Sequence, residues 1–543
     1  MARQLAPLVA VLLAGLAVAA GAQVVPPPPP NPGLIQNENE RNRRQVEEQA
    51  RPPAQPAIET GPAGVTAAVK PGGATFVLRH VAFDASAFLT PRELDAAVAP
   101  FIGRALDQYQ LARLLKRVND LYARKGDTAA RAFLPPQDLA SGDLHIGFVE
   151  GRVGAVTITP GKQVSAAAVA RIAPIEAGAP ADIPRLGRDI AAYNRTHNAQ
   201  LRAALQPGAS FGLTDIALAV VEPPTTSLQL FIDNQGVYSV GKFEGGANLQ
   251  LYGLLGHDDR LTVYAIGAGG NASINGALSV PFDASGGRIG ASASYGHIVV
   301  YRGAYRDLHI RGDSDSFAVS GSQPLHLDQH WQFLVTGGFA NTLSTSTQAD
   351  IPVTHTATDK LTGGVTFGYT GAGFAASVSP SFSAAHSHFG VTDTRQHFTT
   401  VNGFANASLR LPADFTANAL AAWQVASDRL IPGDQLFQIG GPTTVRGYPT
   451  GAVAGASGYY TNLEVHHPVT VAAQHLDVFG FYDRGEVYST FPDRVKLDAL
   501  GVGVTASLYR TLFGELSAGF PLSRSVDNQS GYSIYFRLTA HFQ

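Results

Sequence analysis

The chain has 543 residues, of which 15% are charged, with a formal net charge of −3 and no cysteine. A single core stops growing at roughly 250 to 300 residues, so several domains are expected. Lack of cysteine excludes disulfides, thiolate metal sites, cysteine nucleophiles and a lipoprotein anchor. A near-neutral charge with no basic stripe gives no case for a nucleic-acid partner.

Residues 1–22 read as a secretory signal peptide. Arg3 supplies the positive start, residues 8–19 the apolar stretch, and Ala20-Gly21-Ala22 the small-residue cleavage site before Gln23. No stop-transfer charges follow, so the mature chain is expected to begin at Gln23 in the periplasm of a Gram-negative cell. Residues 23–50 join a stiff polyproline segment at 26–30 to good helix formers at 34–49, which are polar nearly all round. A helix without an apolar stripe has no core to dock on. It is therefore either a solvated tail or a plug helix in a water-filled pore. Residues 51–73, rich in proline, alanine and glycine, form a linker long enough for such a plug to leave and return.

Two units of the same order follow, at 74–150 and 151–224. In the first, residues 75–83 alternate as a strand, and Thr90 with Glu93 opens a helix by capping-box logic. Residues 109–125 form a second helix with Leu111, Leu114, Leu115, Val118 and Leu121 on one face. Strands at 128–134 and 143–150 complete the unit. The second unit reads strand 152–159, helices 163–172 and 182–197, and strands 200–206 and 213–222, ending at Pro223-Pro224. Both resemble POTRA (polypeptide-transport-associated) domains, β-α-α-β-β modules. Their exposed sheet edge suits capture of an extended polypeptide by strand addition, with a mere spacer as the alternative.

From residue 225 to 543 the texture changes to segments of about ten residues with period two, separated by Gly, Asp, Asn and Ser turns. About sixteen strands fit, an even number that returns the chain to the side where it started. In the last, Tyr532, Ile534, Phe536, Leu538, Ala540 and Phe542 are expected to face lipid. Ser533, Tyr535, Arg537, Thr539 and His541 would then face the lumen. An outer-membrane antiparallel β-barrel of about 16 strands, preceded by two POTRA-like modules and an N-terminal plug helix, is thus the expected fold. A terminal strand ending in an aromatic resembles the outer-membrane insertion signal, which makes the barrel assembly machinery an expected partner. Gln543 after Phe542 departs from that pattern.

One stretch breaks the monotony of the barrel, Gly440-Gly441-Pro442-Thr443-Thr444-Val445-Arg446-Gly447-Tyr448. A buried guanidinium without a carboxylate is costly, whereas a bidentate carboxylate pair is strong. A candidate carboxylate follows in Phe481-Tyr482-Asp483-Arg484-Gly485. Strand counting puts residues 445–448 in an extracellular loop between the eleventh strand (415–426) and the twelfth (459–468). It puts Phe479, Phe481 and Asp483 on one face of the thirteenth, at 475–483. Val-Arg-Gly-Tyr with Phe-x-Asp-x-Gly resembles the sixth extracellular loop and thirteenth strand of the BamA-like superfamily. Within it the chain is most similar to two-partner secretion transporters, the haemolysin secretion/activation protein family. The resemblance, running from about residue 26 to the C-terminus, implies that the loop folds into the lumen and that Arg446 pairs with Asp483. Val445, Gly447 and Tyr448 would complete the loop motif, and Phe481 and Gly485 the strand motif. Segments 233–236, 254–261 and 286–292 resemble family hairpins. Val240-Gly241-Lys242-Phe243-Glu244 departs from the family's Thr-Gly-x-x-Arg.

Weaker signals add little. His386 and His388 share a strand face without a third ligand nearby, and no metal site is inferred. His466 and His467 fall on opposite strand faces, and Arg311-Gly312-Asp313 is a chance tripeptide in a polar loop. No G-x-S-x-G elbow or P-loop is present, so no catalytic residues, enzyme activity or cofactor are expected. The reading is an outer-membrane pore that secretes a partner exoprotein, of adhesin or haemolysin type, bound unfolded in the periplasm. The alternative is an assembly factor that inserts barrel or surface proteins, and a passive porin would not need the soluble half.

Overall fold

A computed structural model describes residues 30–49, 58–60, 75–125 and 130–542, apart from breaks at 211, 284, 329, 472–473, 490–492, 510 and 528. The expected signal peptide and most of the expected linker lie outside the described residues.

In the first soluble module the helix Pro91–Val98 starts where expected. Thr90 Oγ1 accepts the Glu93 amide at 3.4 Å, and the Glu93 carboxylate accepts the Thr90 amide at 2.8 Å. The second helix, Gln108–Arg124, buries Leu114, Val118, Leu121 and Tyr122 on its apolar stripe. They pack on the strands His80–Phe83, Arg131–Phe133 and Asp143–Val149. The first expected strand is interrupted, because Leu78 turns into the core and its amide bonds Arg104 O at 3.1 Å. The second unit holds strand Arg152–Thr159, helices Ala166–Ile172 and Ile183–Thr196, and strands Gln200–Pro207 and Leu213–Val221. Its first helix starts at residue 166 and not 163, since the Ser165 side chain caps it. Part of the expected linker is a strand, Ile58–Thr60, lying parallel to Gln200–Pro207 in the sheet of this second unit.

Sixteen antiparallel strands then close into a barrel, from Thr226–Asp233 to Ser533–Phe542. The first and last strands pair directly, with Leu228 opposite Phe542 and Asp233 opposite Arg537. Period-two alternation decides which side chains face lipid. In the last strand Ile534 and Phe542 are exposed, whereas Tyr535, Arg537 and Thr539 are buried inward. An ion pair of 2.9 Å between buried Arg537 and Asp233 ties this seam from inside. The tripeptide Arg311-Gly312-Asp313 lies not in a loop but in the sixth strand, Ile310–Leu327. There Asp313 accepts from Tyr295 Oη at 2.8 Å, and a Cβ at Gly312 would meet the Pro32 ring at 2.3 Å.

The second soluble unit is fastened to the periplasmic turns of the barrel by polar contacts. Asp258, in a left-handed conformation with φ 56°, accepts the amides of Asn198 (3.0 Å) and Ala199 (2.9 Å) and the Tyr252 hydroxyl (3.0 Å). Arg288 reaches the same Asp258 at 3.4 Å. Burial lowers the pKa of His197 next to this joint, with Asp258 opposing the shift.

Candidate functional site: the inward loop and the lumenal helix

Residues 427–456 connect the eleventh strand, Thr416–Ala426, to the twelfth, Ser457–Val471. The loop runs into the barrel as a hairpin in which Phe437–Ile439 pairs with Val453–Gly455. Its tip turns at Gly440 (φ 110°) and Gly441 (φ 96°), values that a side chain rarely adopts. Thr444 Oγ1 accepts the Gly440 amide at 2.8 Å and sets the next residues in position.

The tip delivers Arg446 to the thirteenth strand, Gln474–Tyr488. Its Nε and Nη2 each donate to Asp483 at 2.7 Å, and its own amide donates to Asp483 Oδ2 at 3.0 Å. The guanidinium also lies over the Phe481 ring, 3.5 Å from the centroid, a cation–π contact. Asp483 is fully buried and Arg446 is 7% exposed. The bidentate pair thus sits where an unmatched charge would be expensive.

The other motif residues act around this pair. Val445 and Tyr448 are fully buried in one apolar cluster with Ile439, Val453 and Leu497. The Tyr448 hydroxyl donates to Asp498 O at 3.0 Å. Gly447 has φ 90°, and a Cβ there would meet Pro521 N at 3.1 Å; its amide donates to the Tyr535 hydroxyl at 3.1 Å. Gly485 is small because a Cβ would press on Val445 Cγ2 at 2.9 Å and Ile439 Cδ1 at 3.0 Å. All seven motif residues named from the sequence are thereby gathered in one place.

Two partners of the pair were not singled out in the sequence. Glu464 meets Arg446 Nη1 at 2.6 Å and also binds His466 at 2.9 Å, while His466 contacts Asp477 at 2.8 Å. Asn462 donates to Asp483 Oδ1 at 2.8 Å and to Thr444 O at 2.5 Å. Parity was the available signal, since 462, 464 and 466 share one face of the twelfth strand. His467 points the other way and stacks on Phe415. His386 and His388 are divided between His397 and Asp393 rather than sharing one ligand. Among the described residues no group of three or more candidate ligands could hold a metal ion.

The helix Pro32–Gln49 lies against the inner wall and the loop tip. Asn31 caps it, accepting the Gly33 amide at 2.9 Å, and Pro32 opens its first turn. Without an apolar stripe it has no core to dock on, and its docking surface is accordingly polar. Gln36 bonds Ser294, Glu38 accepts from Thr443 of the loop tip at 2.7 Å, and Asn37 donates to Asp434 O at 3.1 Å. Asn42 accepts from Arg537 at 2.7 Å and donates to Glu244 at 3.4 Å. Glu244 occupies the position where the related motif has arginine. Ile35 adds an apolar contact with Val240, Ile298 and Ile310. Among the described residues no helix is long and apolar enough to cross a membrane, which says nothing of strands.

Known proteins resemble this chain over most of its length. The family described as haemolysin secretion/activation protein ShlB/FhaC/HecB matches residues 212–508, and the ShlB-type POTRA domain matches residues 76–151. The outer membrane transporter CdiB of Escherichia coli is 26% identical over 455 residues, 79% of this chain and 74% of that protein. The heme/hemopexin transporter protein HuxB of Haemophilus influenzae (strain ATCC 51907 / DSM 11121 / KW20 / Rd) is 22% identical over 538 residues, 93% and 94% of the two chains. Among solved structures, CdiB from Escherichia coli superposes with a TM-score of 0.67 at 19% identity, covering 96% of this chain and all (100%) of that one. BamA from Haemophilus ducreyi lacking POTRA domains 1–3 shares the fold with a TM-score of 0.52 at 12% identity, covering 86% and 100%. With more than half of its length matched by that family and the barrel closed, the chain belongs to the haemolysin secretion/activation proteins and is an outer-membrane translocation pore of two-partner secretion.

Proposed function

We propose that this pore exports one exoprotein, captured unfolded in the periplasm by the two soluble modules and passed through the barrel once the helix Pro32–Gln49 leaves the lumen. The second unit, 151–224, acts as a POTRA domain like the first. Residues 1–22 direct export and are removed, the outer-membrane lipid surrounds the barrel, and the barrel assembly machinery inserts it. No catalytic step or cofactor is assigned to it. CdiB and HuxB are named as transporters, which supports a transport role here too.

The observation that carries this reading is the bidentate bond of Arg446 to Asp483, which anchors an extracellular loop inside the pore. That loop tip also holds the helix, through Thr443 and Glu38. Anchor and plug are therefore parts of one assembly, and the chain releases its plug against a fixed loop. Arg446→Ala and Asp483→Ala should each reduce secretion of the cognate exoprotein at least tenfold, at normal barrel levels. Deleting residues 33–49 should raise single-channel conductance in planar bilayers. Normal secretion by both point variants would refute the anchor, and unchanged conductance would refute the plug.

A further inference from the structure

On the lipid-facing side of the barrel a shallow groove of about 350 Å³ crosses the closing seam. Its walls are Ile232 of the first strand, Val504 of the fourteenth (Arg494–Tyr509), Leu516 of the fifteenth (Leu512–Pro521), and Phe536 and Leu538 of the last. Glu515 and Arg537, opposite each other in register, turn to the lumen by strand alternation, so the side chains of the groove are apolar. Small residues make the depression, with Gly514 paired to Ala506 on one side and to Leu538 on the other. A Cβ at Gly514 would touch only Leu508 Cδ1 at 3.6 Å and Leu538 Cδ1 at 3.9 Å. These are ordinary contact distances, so the belt has room there that its sequence leaves unfilled.

Above the groove, on the extracellular side, the surface changes character. Phe243 is 66% exposed and its ring centroid lies 6.4 Å from that of Phe536, just before the second strand, Glu244–Tyr252. Lys242 beside it is exposed. The extracellular loop 300–309 leans on the same turn: the Tyr301 amide donates to Ser239 O at 3.1 Å, and Tyr301 Oη would stand 3.4 Å from a Cβ at Gly241. The exposed Arg302 guanidinium lies 5.0 Å from the Tyr301 ring centroid. Among the described residues neither Lys242 nor Arg302 has a carboxylate partner. Apolar groove, aromatic interface and unpaired cations thus follow one another in the order of a membrane lipid's acyl chain, interface and anionic headgroup.

We propose that the seam carries a site for one phosphorylated lipid of the outer leaflet, with an acyl chain in the groove and a headgroup phosphate between Lys242 and Arg302. The outer leaflet is the source because both cations stand at the extracellular end, and its lipid A presents phosphates on a diglucosamine. The groove joins strands from opposite ends of the barrel sequence, Ile232 on one side and Phe536 and Leu538 on the other. An occupied groove therefore closes the seam from outside, as the Arg537–Asp233 pair does from inside. A ligand that binds only the closed barrel stabilises it in proportion to its affinity.

The probe is purified lipid A, added to the full-length protein in detergent and read by native mass spectrometry beside its enzymatically dephosphorylated form and phosphatidylethanolamine. The wild type should bind one lipid A at least tenfold more tightly than either comparison lipid. Lys242→Ala with Arg302→Ala, two exposed positions, should abolish that preference. Gly514→Leu fills the groove and should weaken binding of lipid A and its dephosphorylated form alike, at least fivefold. In gels, lipid A should raise by several degrees the temperature at which the wild-type barrel loses its compact migration, and should not do so for Gly514→Leu. Equal affinity of the wild type for lipid A and either comparison lipid overturns the headgroup assignment, and a preference kept by the double variant overturns the role of its two cations. Unchanged binding by Gly514→Leu, or equal thermal protection of that variant, overturns the groove. None of these measurements reads exoprotein export, so their failure leaves the pore reading intact.

Discussion

Replacing Asp483 by alanine removes three of the four polar contacts of Arg446 and one acceptor of Asn462. Breaking a buried pair by deleting one partner costs about 3–5 kcal/mol. Glu464, 2.6 Å from the guanidinium, offsets a part of this, which puts the expected loss near the lower figure. At 1.4 kcal/mol per factor of ten, about 3 kcal/mol shifts the equilibrium between seated and released loop by roughly 150-fold. Of the four polar contacts of Arg446, Glu464→Gln takes the charge from only the one at Nη1, besides weakening the bond to His466, at a side chain 25% exposed, so a loss of about 1 kcal/mol and roughly a fivefold shift is expected. The assay is the rate at which a maleimide labels Thr444→Cys, a position fully buried at the loop tip in a chain otherwise free of cysteine. When closing outpaces labelling, the rate follows the fraction of released loop. Asp483→Ala should therefore label on the order of a hundred times faster than the parent, and Glu464→Gln only severalfold faster. Rates for the two variants within twofold of each other would refute the view that Asp483 carries the anchor.

Gly485→Val adds a branched side chain where a Cβ would already lie 2.9 Å from Val445. Overpacking of this kind costs about 1–3 kcal/mol. The same labelling assay should show a released loop while the barrel keeps its heat-modifiable migration in gels. In the first soluble module, the Thr90 amide, then Lys125 and the Thr90 hydroxyl, hold the Glu93 carboxyl down to about 2. A depressed carboxylate stabilises the fold above its ordinary range and loses that contribution as pH falls towards 2. Hydrogen exchange across Pro91–Val98 should therefore show wild type better protected than Glu93→Gln at pH 6, with the difference gone near pH 2. A difference that persists there would refute the capping assignment.

Local rules made much of this molecule readable before any coordinates. Period-two alternation in 532–542 reports which residues touch lipid, because neighbouring strand side chains must point to opposite faces. Thr90 with Glu93, and the stripe of Leu114, Val118 and Leu121, mark helices for similarly local reasons. A guanidinium among glycines needs a carboxylate, but which one, Asp483, was legible only through the resemblance of the two motifs to a known family. Tertiary structure alone decided the rest. That the polar helix Pro32–Gln49 has a docking surface follows from the barrel interior being polar, so its partners Ser294, Thr443, Glu244 and Arg537 come from four separate stretches of chain. Glu464 joined the anchor because strand closure set the twelfth strand beside the thirteenth, with Glu464 opposite Phe481. Ile58–Thr60, too short to announce itself by any periodicity, became a strand only because the backbone of Gln200–Pro207 offered it unpaired hydrogen-bonding groups.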